Sequence, residues 1–274
     1  MDFGARSDTG KVRSNNEDSL AVSPELNLFV VSDGMGGQAS GEIASRLAVE
    51  TVLAHCSESD SNSASPLVGR PIEGVSQATN RLASAVRLAN QVIQQASRQN
   101  PAQRGMGATI VAVRCDGDRM SVAHVGDSRV YRLRDARLER LTLDHSYVAE
   151  QVRHGALTER EGSESELQNV LVRALGVDDE VEVDVTDELL LEGDAILLCT
   201  DGLTRELSDP QIAAVLQEAR NAQEAADQLV ALANQAGGRD NITAVVLRPF
   251  SRGTGRFVRM GRIGKWLRGL GDQS

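Results

Sequence analysis

The sequence predicts an α+β fold in which an antiparallel β-sandwich carries one helix pair on each outer face, four layers in all. Three observations predict it. Helical periodicity arrives in two pairs, one ahead of residue 100 and one after residue 208. Short apolar runs of strand length come before, between and after those pairs. The middle runs are separated by tight turn residues such as Asp116-Gly-Asp118, which favour antiparallel neighbours.

Taken in order, Phe3 to Arg13 reads as an edge strand leading into the polar run Ser14-Asn-Asn-Glu-Asp18. Leu28 to Val31 is apolar and runs into Asp33 and the glycines Gly34, Gly36 and Gly37, so it predicts a buried strand that stops abruptly with Asp33 at its end. From Glu42 to Cys56, Ile43, Leu47 and Ala54 with Ala44, Ala48 and Val52 mark one face of a helix. Ser57 to Ser65 is serine-rich and predicts a flexible connector. Ile72 to Gln99 repeats three- and four-residue steps through Val75, Ala78, Leu82, Ala85, Ala89, Val92 and Ala96. This is a long helix whose small residues suit close packing on the first.

Thr109 to Cys115, Arg119 to Val125, Val130 to Arg134 and Arg137 to Leu141 predict an antiparallel meander, interrupted at Asp127. The stretch 144–179 is polar and irregular, with helical pieces expected at Tyr147 to His154 and Gln168 to Leu175. A connection this long inside a compact domain is usually functional or mobile. Glu182 to Val185 and Ala195 to Thr200 are expected strands. Ser208-Asp-Pro opens a helix with proline in its first turn, Ile212 to Glu218 and Ala222 to Ala236 give the second helical pair, and Gly237-Gly238 ends it. Ile242 to Leu247 is the closing strand.

Composition excludes several classes. The chain has 274 residues, 41% hydrophobic and 25% charged, which describes a globular protein with a large core. Aromatics make up 3%, so that core is aliphatic. A net charge of −10 argues against a nucleic-acid footprint on the body of the protein. No run reaches the roughly 18 apolar residues of a membrane span, and no secretory leader opens the chain, so a cytoplasmic location and a monomer are expected. Cys56, Cys115 and Cys199 are widely spaced with no C-x-x-C, and suggest core residues rather than a disulfide or zinc.

The pattern carrying chemistry is a set of lone aspartates at strand ends. Asp33 closes one apolar run, Asp127 a second, Asp201 a third, and Asp240 stands just before a fourth. Any one of them alone reads as a turn residue or helix cap. Together they suggest a shared oxygen-ligand site. Gly34-Met-Gly-Gly-Gln-Ala39 also fits the dinucleotide fingerprint, but Asp33 would repel a pyrophosphate there, and the required second strand with its acidic residue is missing.

Arg13-Ser-Asn-Asn-Glu-Asp18, Asp33-Gly-Met-Gly-Gly37, Gly107-Ala-Thr109, His124-Val-Gly-Asp-Ser-Arg129, Thr200-Asp-Gly-Leu203 and Arg239-Asp-Asn-Ile-Thr243 occur in the order and approximate spacing of the protein phosphatase 2C (PPM) family. From Asp2 to Leu247 the sequence resembles a bacterial member of these metal-dependent Ser/Thr phosphatases. The resemblance implies the PPM-type phosphatase fold over 1–250, with 144–179 as the flap over the active site. It implies hydrolysis of phosphoserine and phosphothreonine on proteins by a water bridging two divalent ions, opposing a bacterial Ser/Thr kinase and acting on its phosphorylated substrates.

Oxygen ligands without a histidine cluster suit Mn²⁺ or Mg²⁺ rather than zinc. In the family arrangement Asp33 bridges both ions, the Gly34 carbonyl adds to one, and Asp201 and Asp240 add to the other. Asp127 joins Asp201 at a third, weaker ion, and Glu17 and Asp18 hold metal-bound water. Arg13 clamps the substrate phosphate, a task suited to the planar guanidinium. Eukaryotic relatives carry histidine where this chain has Met35, which cannot donate a proton, so no general acid is assigned. His124 and His145 read as structural or surface residues. A catalytically silent fold serving as a regulatory or binding module is the alternative.

After Pro249 the composition changes. Arg252, Arg256, Arg259, Arg262, Lys265 and Arg268 alternate with Phe257, Met260, Ile263, Trp266, Leu267 and Leu270. The segment 251–274 is a basic amphipathic tail on an acidic chain, suited to a peripheral membrane contact or a partner through 252–270, although its glycines weaken a helix.

Overall fold

A computed structural model describes residues 1–36, 40–61, 66–163 and 165–249. The basic tail at 251–274 lies outside them. The chain runs β1 (Asp2–Asp8), β2 (Asp18–Ser23), β3 (Leu28–Met35), α1 (Ser40–Ser61), α2 (Gln77–Gln99), β4 (Gly107–Ala108), β5 (Ile110–Asp116) and β6 (Arg119–Val125). It continues through β7 (Arg129–Arg134), β8 (Arg137–Arg140), α3 (Tyr147–Arg153), α4 (Glu159–Ser163), β9 (Asp184–Leu189), β10 (Ala195–Cys199), α5 (Asp201–Thr204), α6 (Asp209–Glu218), α7 (Ala222–Ala236) and β11 (Ile242–Arg248).

Two antiparallel sheets result. One has the order β1-β11-β10-β7-β8, the other β2-β3-β5-β6-β9 with β4 paired to β3. Strand periodicity explains why the apolar runs are unbroken. On β3, Leu28 and Val30 face α1 and α2, whereas Phe29 and Val31 face the other sheet. On β11, Ala244 and Val246 pack toward α6 and α7 while Val245 and Leu247 point inward. These central strands are therefore covered on both sides, as the four-layer expectation requires. Fully burying one such valine or leucine contributes on the order of 1.5–3 kcal/mol.

The middle of the chain corrects the expected meander. β5 and β6 pair in one sheet, but β7 pairs with β10 and β8 in the other. The chain changes sheets at Gly126–Ser128, so Asp127 sits on the crossover at one end of the sandwich. β9 and β10 also belong to different sheets. β2 lay hidden in the sequence because its residues are only partly buried and carry little apolar signal. The helix expected from Ile72 begins at Gln77, where the Ser76 hydroxyl accepts the Thr79 N–H at 3.2 Å. The first helix extends past Cys56 to Ser61. In the stretch 144–179, the piece expected at Gln168 to Leu175 is not helical; α4 supplies the second helix instead. All strand pairings are antiparallel, which removes the parallel βαβ unit a dinucleotide site requires.

Candidate active site

Four segments distant in sequence meet at the end of the sandwich. β2 and β3 run antiparallel with Asp18 directly opposite Asp33. Asp201 opens α5 immediately after β10, and Asp240 precedes β11, the strand paired to β10. Asp127 joins them from the sheet crossover. Asp33 feels the charges of Asp18, Asp201, Asp127 and Asp240 together, which brings all the predicted strand-end aspartates into one electrostatic cluster.

That crowding perturbs Asp33, Asp18, Asp127 and Asp201. Burial, then the neighbouring carboxylates, holds Asp33 well above the ordinary carboxylate range. Burial likewise pushes Asp18 up to about 7, against the Thr243 and Thr200 hydroxyls that donate to its Oδ2 at 2.7 and 2.9 Å. Asp127 is pushed up to about 7 by burial and by the charges of Asp201 and Asp144. Asp201 is raised by burial, with Arg205 pulling the other way. Two carboxylate oxygens, Oδ1 of Asp18 and Oδ1 of Asp201, are buried without any hydrogen-bond donor. A buried carboxylate oxygen left unpaired is costly, and a cation is the partner that removes the cost. The donor set is oxygen only, which fits a hard divalent cation.

Local geometry explains the motif residues. The Thr109 hydroxyl accepts the Asp33 N–H at 3.0 Å and bonds Ser128 at 2.7 Å, tying the end of β3 to the Asp127 crossover. Gly126 has φ +104°, and a Cβ there would lie 2.6 Å from the Thr109 side chain. Gly34 donates its N–H to the Glu17 carbonyl at 3.1 Å, and a Cβ on it would stand 1.9 Å from the Gly41 carbonyl oxygen. The glycine therefore lets the start of α1 seat against the strand. Glu17 lies beside Gly41 and its carboxyl is raised, chiefly by burial.

Arg13, expected to clamp a phosphate, holds Asp240 here, with Nε 2.9 Å from Oδ1 and Nη2 3.0 Å from Oδ2. Arg13, Asp127, Asp201 and Asp240 line an open cleft of about 920 Å³ together with Val148, Ala149 and Val152 of α3.

Four contributors escaped the sequence reading. Arg205 pairs with both Asp201 and Asp240; its four-residue spacing from Asp201 on a helical turn was the available signal. Asn241 accepts the Glu17 N–H at 2.8 Å and donates to the carbonyls of Thr9 at 2.9 Å and Asn15 at 2.8 Å, so one side chain pins the loop bearing Arg13. Thr200 and Thr243 orient Asp18. All but Arg205 lie inside quoted motifs, but nothing in the sequence distinguishes such supports from ordinary turn and strand residues.

His124 and His145 are structural, as expected. Their rings stack with centroids 4.6 Å apart. His145 accepts the Gly126 N–H on Nδ1 at 3.1 Å and donates its own N–H to the Gly126 carbonyl at 2.9 Å, clamping the turn before Asp127. Burial pushes His124 down to about 4, so it is neutral near pH 7. With Asp184 these histidines gather ligand atoms within 4.8 Å of one another, the one such group among the described residues. The Arg173 guanidinium, 2.6 Å from Asp184 and 3.2 Å from His145, already supplies the cation there.

The sequence profile described as Protein phosphatase 2C matches residues 10–240. The chain belongs to the protein phosphatase 2C family. Among its relatives in this family is the serine/threonine protein phosphatase PstP of Mycobacterium tuberculosis, 37% identical over 244 residues, covering 89% of this chain and 44% of that protein. The chain thus spans under half the length of this relative. The serine/threonine phosphatase stp of Listeria monocytogenes is 34% identical over 245 residues, covering 88% of this chain and 93% of that one. Among solved structures, the serine/threonine phosphatase of S. agalactiae superposes with a TM-score of 0.79 at 34% identity, covering 89% and 97% of the two chains. The catalytic domain of PstP in complex with two manganese ions superposes with a TM-score of 0.75 at 37% identity, covering 89% and 96%. These phosphatase 2C structures share the four-layer sandwich, and no helix among the described residues is long and apolar enough to cross a membrane.

Proposed function

We propose that this chain is a metal-dependent protein-serine/threonine phosphatase acting on phosphoproteins made by a Ser/Thr kinase. The single observation that carries the reading is the cluster of Asp33, Asp18, Asp127, Asp201 and Asp240 with two buried carboxylate oxygens lacking any donor. Names of relatives and the manganese in PstP support the same reading.

Asp33, Asp201, Asp240 and the Gly34 carbonyl are the residues that would hold Mn²⁺ or Mg²⁺, with Glu17 and Asp18 supporting them. Bound divalent ions supply Lewis acidity and an activated water for attack on phosphorus. The chain's own residues bind and orient the phosphate. Arg13 carries a bidentate fork that fits two phosphate oxygens as well as it fits Asp240, and it offsets the charge that builds up in the transition state. Asn241 fixes the loop that presents Arg13, and Thr200 and Thr243 fix Asp18. The cleft is open, which suits a phosphorylated side chain presented by a protein.

The test is hydrolysis of p-nitrophenyl phosphate and of a phosphothreonine peptide with and without Mn²⁺. Activity that depends on the metal and is lost in Asp201→Asn supports the reading. Asp201→Asn as active as the parent contradicts the metal role. A parent that binds Mn²⁺ without turning over either substrate favours the silent regulatory module.

A further inference from the structure

Arg205 ends the single turn of α5 and directs its guanidinium back over the carboxylate cluster. One nitrogen is paired with Oδ2 of Asp201, another lies 3.3 Å from Oδ2 of Asp240, and its charge also acts on Asp127. Other cations of the cleft have acids of their own. Arg129 is matched by Asp144, with Nη2 2.7 Å from Oδ2, and Arg239 by Glu206 at 2.9 Å. Arg140 and Arg153 stand near Asp144 and Glu150. Arg205 and Arg13 pair with the cluster itself, and of the two only Arg205 reaches Asp201.

The two oxygens of Asp201 are thereby divided. Oδ1 is buried and without a donor, available to an ion inside the cluster, whereas Oδ2 is occupied from the cleft side. Asp127 and Arg205 line the same cleft and the Arg205 charge acts on Asp127, so an ion shared by Asp127 and Asp201 would compete with that guanidinium. We infer that the Arg205 guanidinium stands in the place of this outer cation, so that the chain binds two divalent ions and carries the remaining positive charge on side chains. Charge agrees: the five aspartates and Glu17 are balanced by two divalent ions and the guanidiniums of Arg205 and Arg13. An additional divalent ion would meet an already neutral cluster and a fixed like charge. This rests on the two-ion reading of the site above, and revises the expectation that Asp127 serves a third ion.

The test counts bound Mn²⁺ on the full chain, by calorimetry and by electron paramagnetic resonance up to millimolar metal. The expected result is about two equivalents for the parent, about three for Arg205→Ala, and a return to about two when Asp127→Asn is added to that variant. Asp127→Asn alone should leave the parent count unchanged. A parent that binds about three equivalents overturns the inference while leaving the two-ion reading standing, and does so whether or not the variant folds. Arg205→Ala that folds but still binds about two also overturns it. A parent that binds one ion or none overturns both this and the reading it rests on.

Discussion

Arg13 grips Asp240 with two nitrogens, Nε on Oδ1 and Nη2 on Oδ2 at 2.9 and 3.0 Å. The arginine assigned to phosphate is thus held at the edge of the carboxylate cluster, in register to exchange one planar anion for another. Its side chain is half exposed, so the pair itself adds little stability. Arg13→Ala should lower kcat/KM on a phosphothreonine peptide by about 100- to 1000-fold while Mn²⁺ affinity is kept or tightened. Arg13→Lys should recover little, since an ammonium cannot reproduce the fork. Steady-state kinetics with calorimetry check this, and an unchanged kcat/KM would remove Arg13 from the phosphate site.

Asn241→Ala deletes three hydrogen bonds to the segment from Thr9 to Glu17 without touching the cluster's carboxylates. The expected outcome is a loss in kcat/KM of about 10- to 100-fold through misplacement of Arg13 and Glu17, with protein still folded. In an Arg13→Ala background the same substitution should cost much less, because the group it positions is gone. Equal losses in both backgrounds would make Asn241 a general stability residue.

These two residues show where sequence reading succeeds and where it stops. Asp33, Asp127, Asp201 and Asp240 were legible because each follows or precedes a run so apolar that the strand end is unmistakable, and recurrence strengthened the signal. The sandwich was legible for the same reason, since unbroken runs such as Leu28 to Val31 require cover on both faces. The partition of strands between sheets was not legible. The turn at Gly126 looks like a hairpin corner, and only the pairing of β7 with β10 shows that the chain crosses there. Asn241 acts through backbone atoms far away in sequence and carries no local periodicity to mark it, whereas Arg205 had only its four-residue spacing from Asp201.

Without metal the cluster makes the folded chain sensitive to alkali. Asp18 and Asp127 ionise near 3.8 in the unfolded chain and hold their protons to about 7 in the folded one. The folded state therefore binds more protons between those limits, and these groups lower its stability as pH rises from about 4 to about 7. In chelator, the melting temperature should fall relative to that in Mn²⁺ as pH rises through this window. Asp33→Asn should raise the metal-free melting temperature at neutral pH, because the folded state no longer has to bury a carboxyl that ionises freely in the unfolded chain. Calorimetric scans check both; a constant gap between chelator and Mn²⁺ across the window would contradict the crowding.

Gly34→Ala places a methyl 1.9 Å from the Gly41 carbonyl oxygen, backbone against backbone, with no flexible side chain to yield. Destabilisation of about 3 kcal/mol or more is expected, from denaturant titration with Mn²⁺ present. Parent-like stability would show that α1 can shift away from β3 at little cost.

The central claim is that carboxylates from β2, β3, the α5 start and the β11 approach converge to hold divalent cations. Anomalous diffraction from a crystal grown in Mn²⁺ tests it most directly. The account predicts two strong peaks between Asp33, Asp201 and Asp240, with Arg205 still paired to Asp201. Absence of manganese among these carboxylates, with the protein saturated in solution, would contradict it.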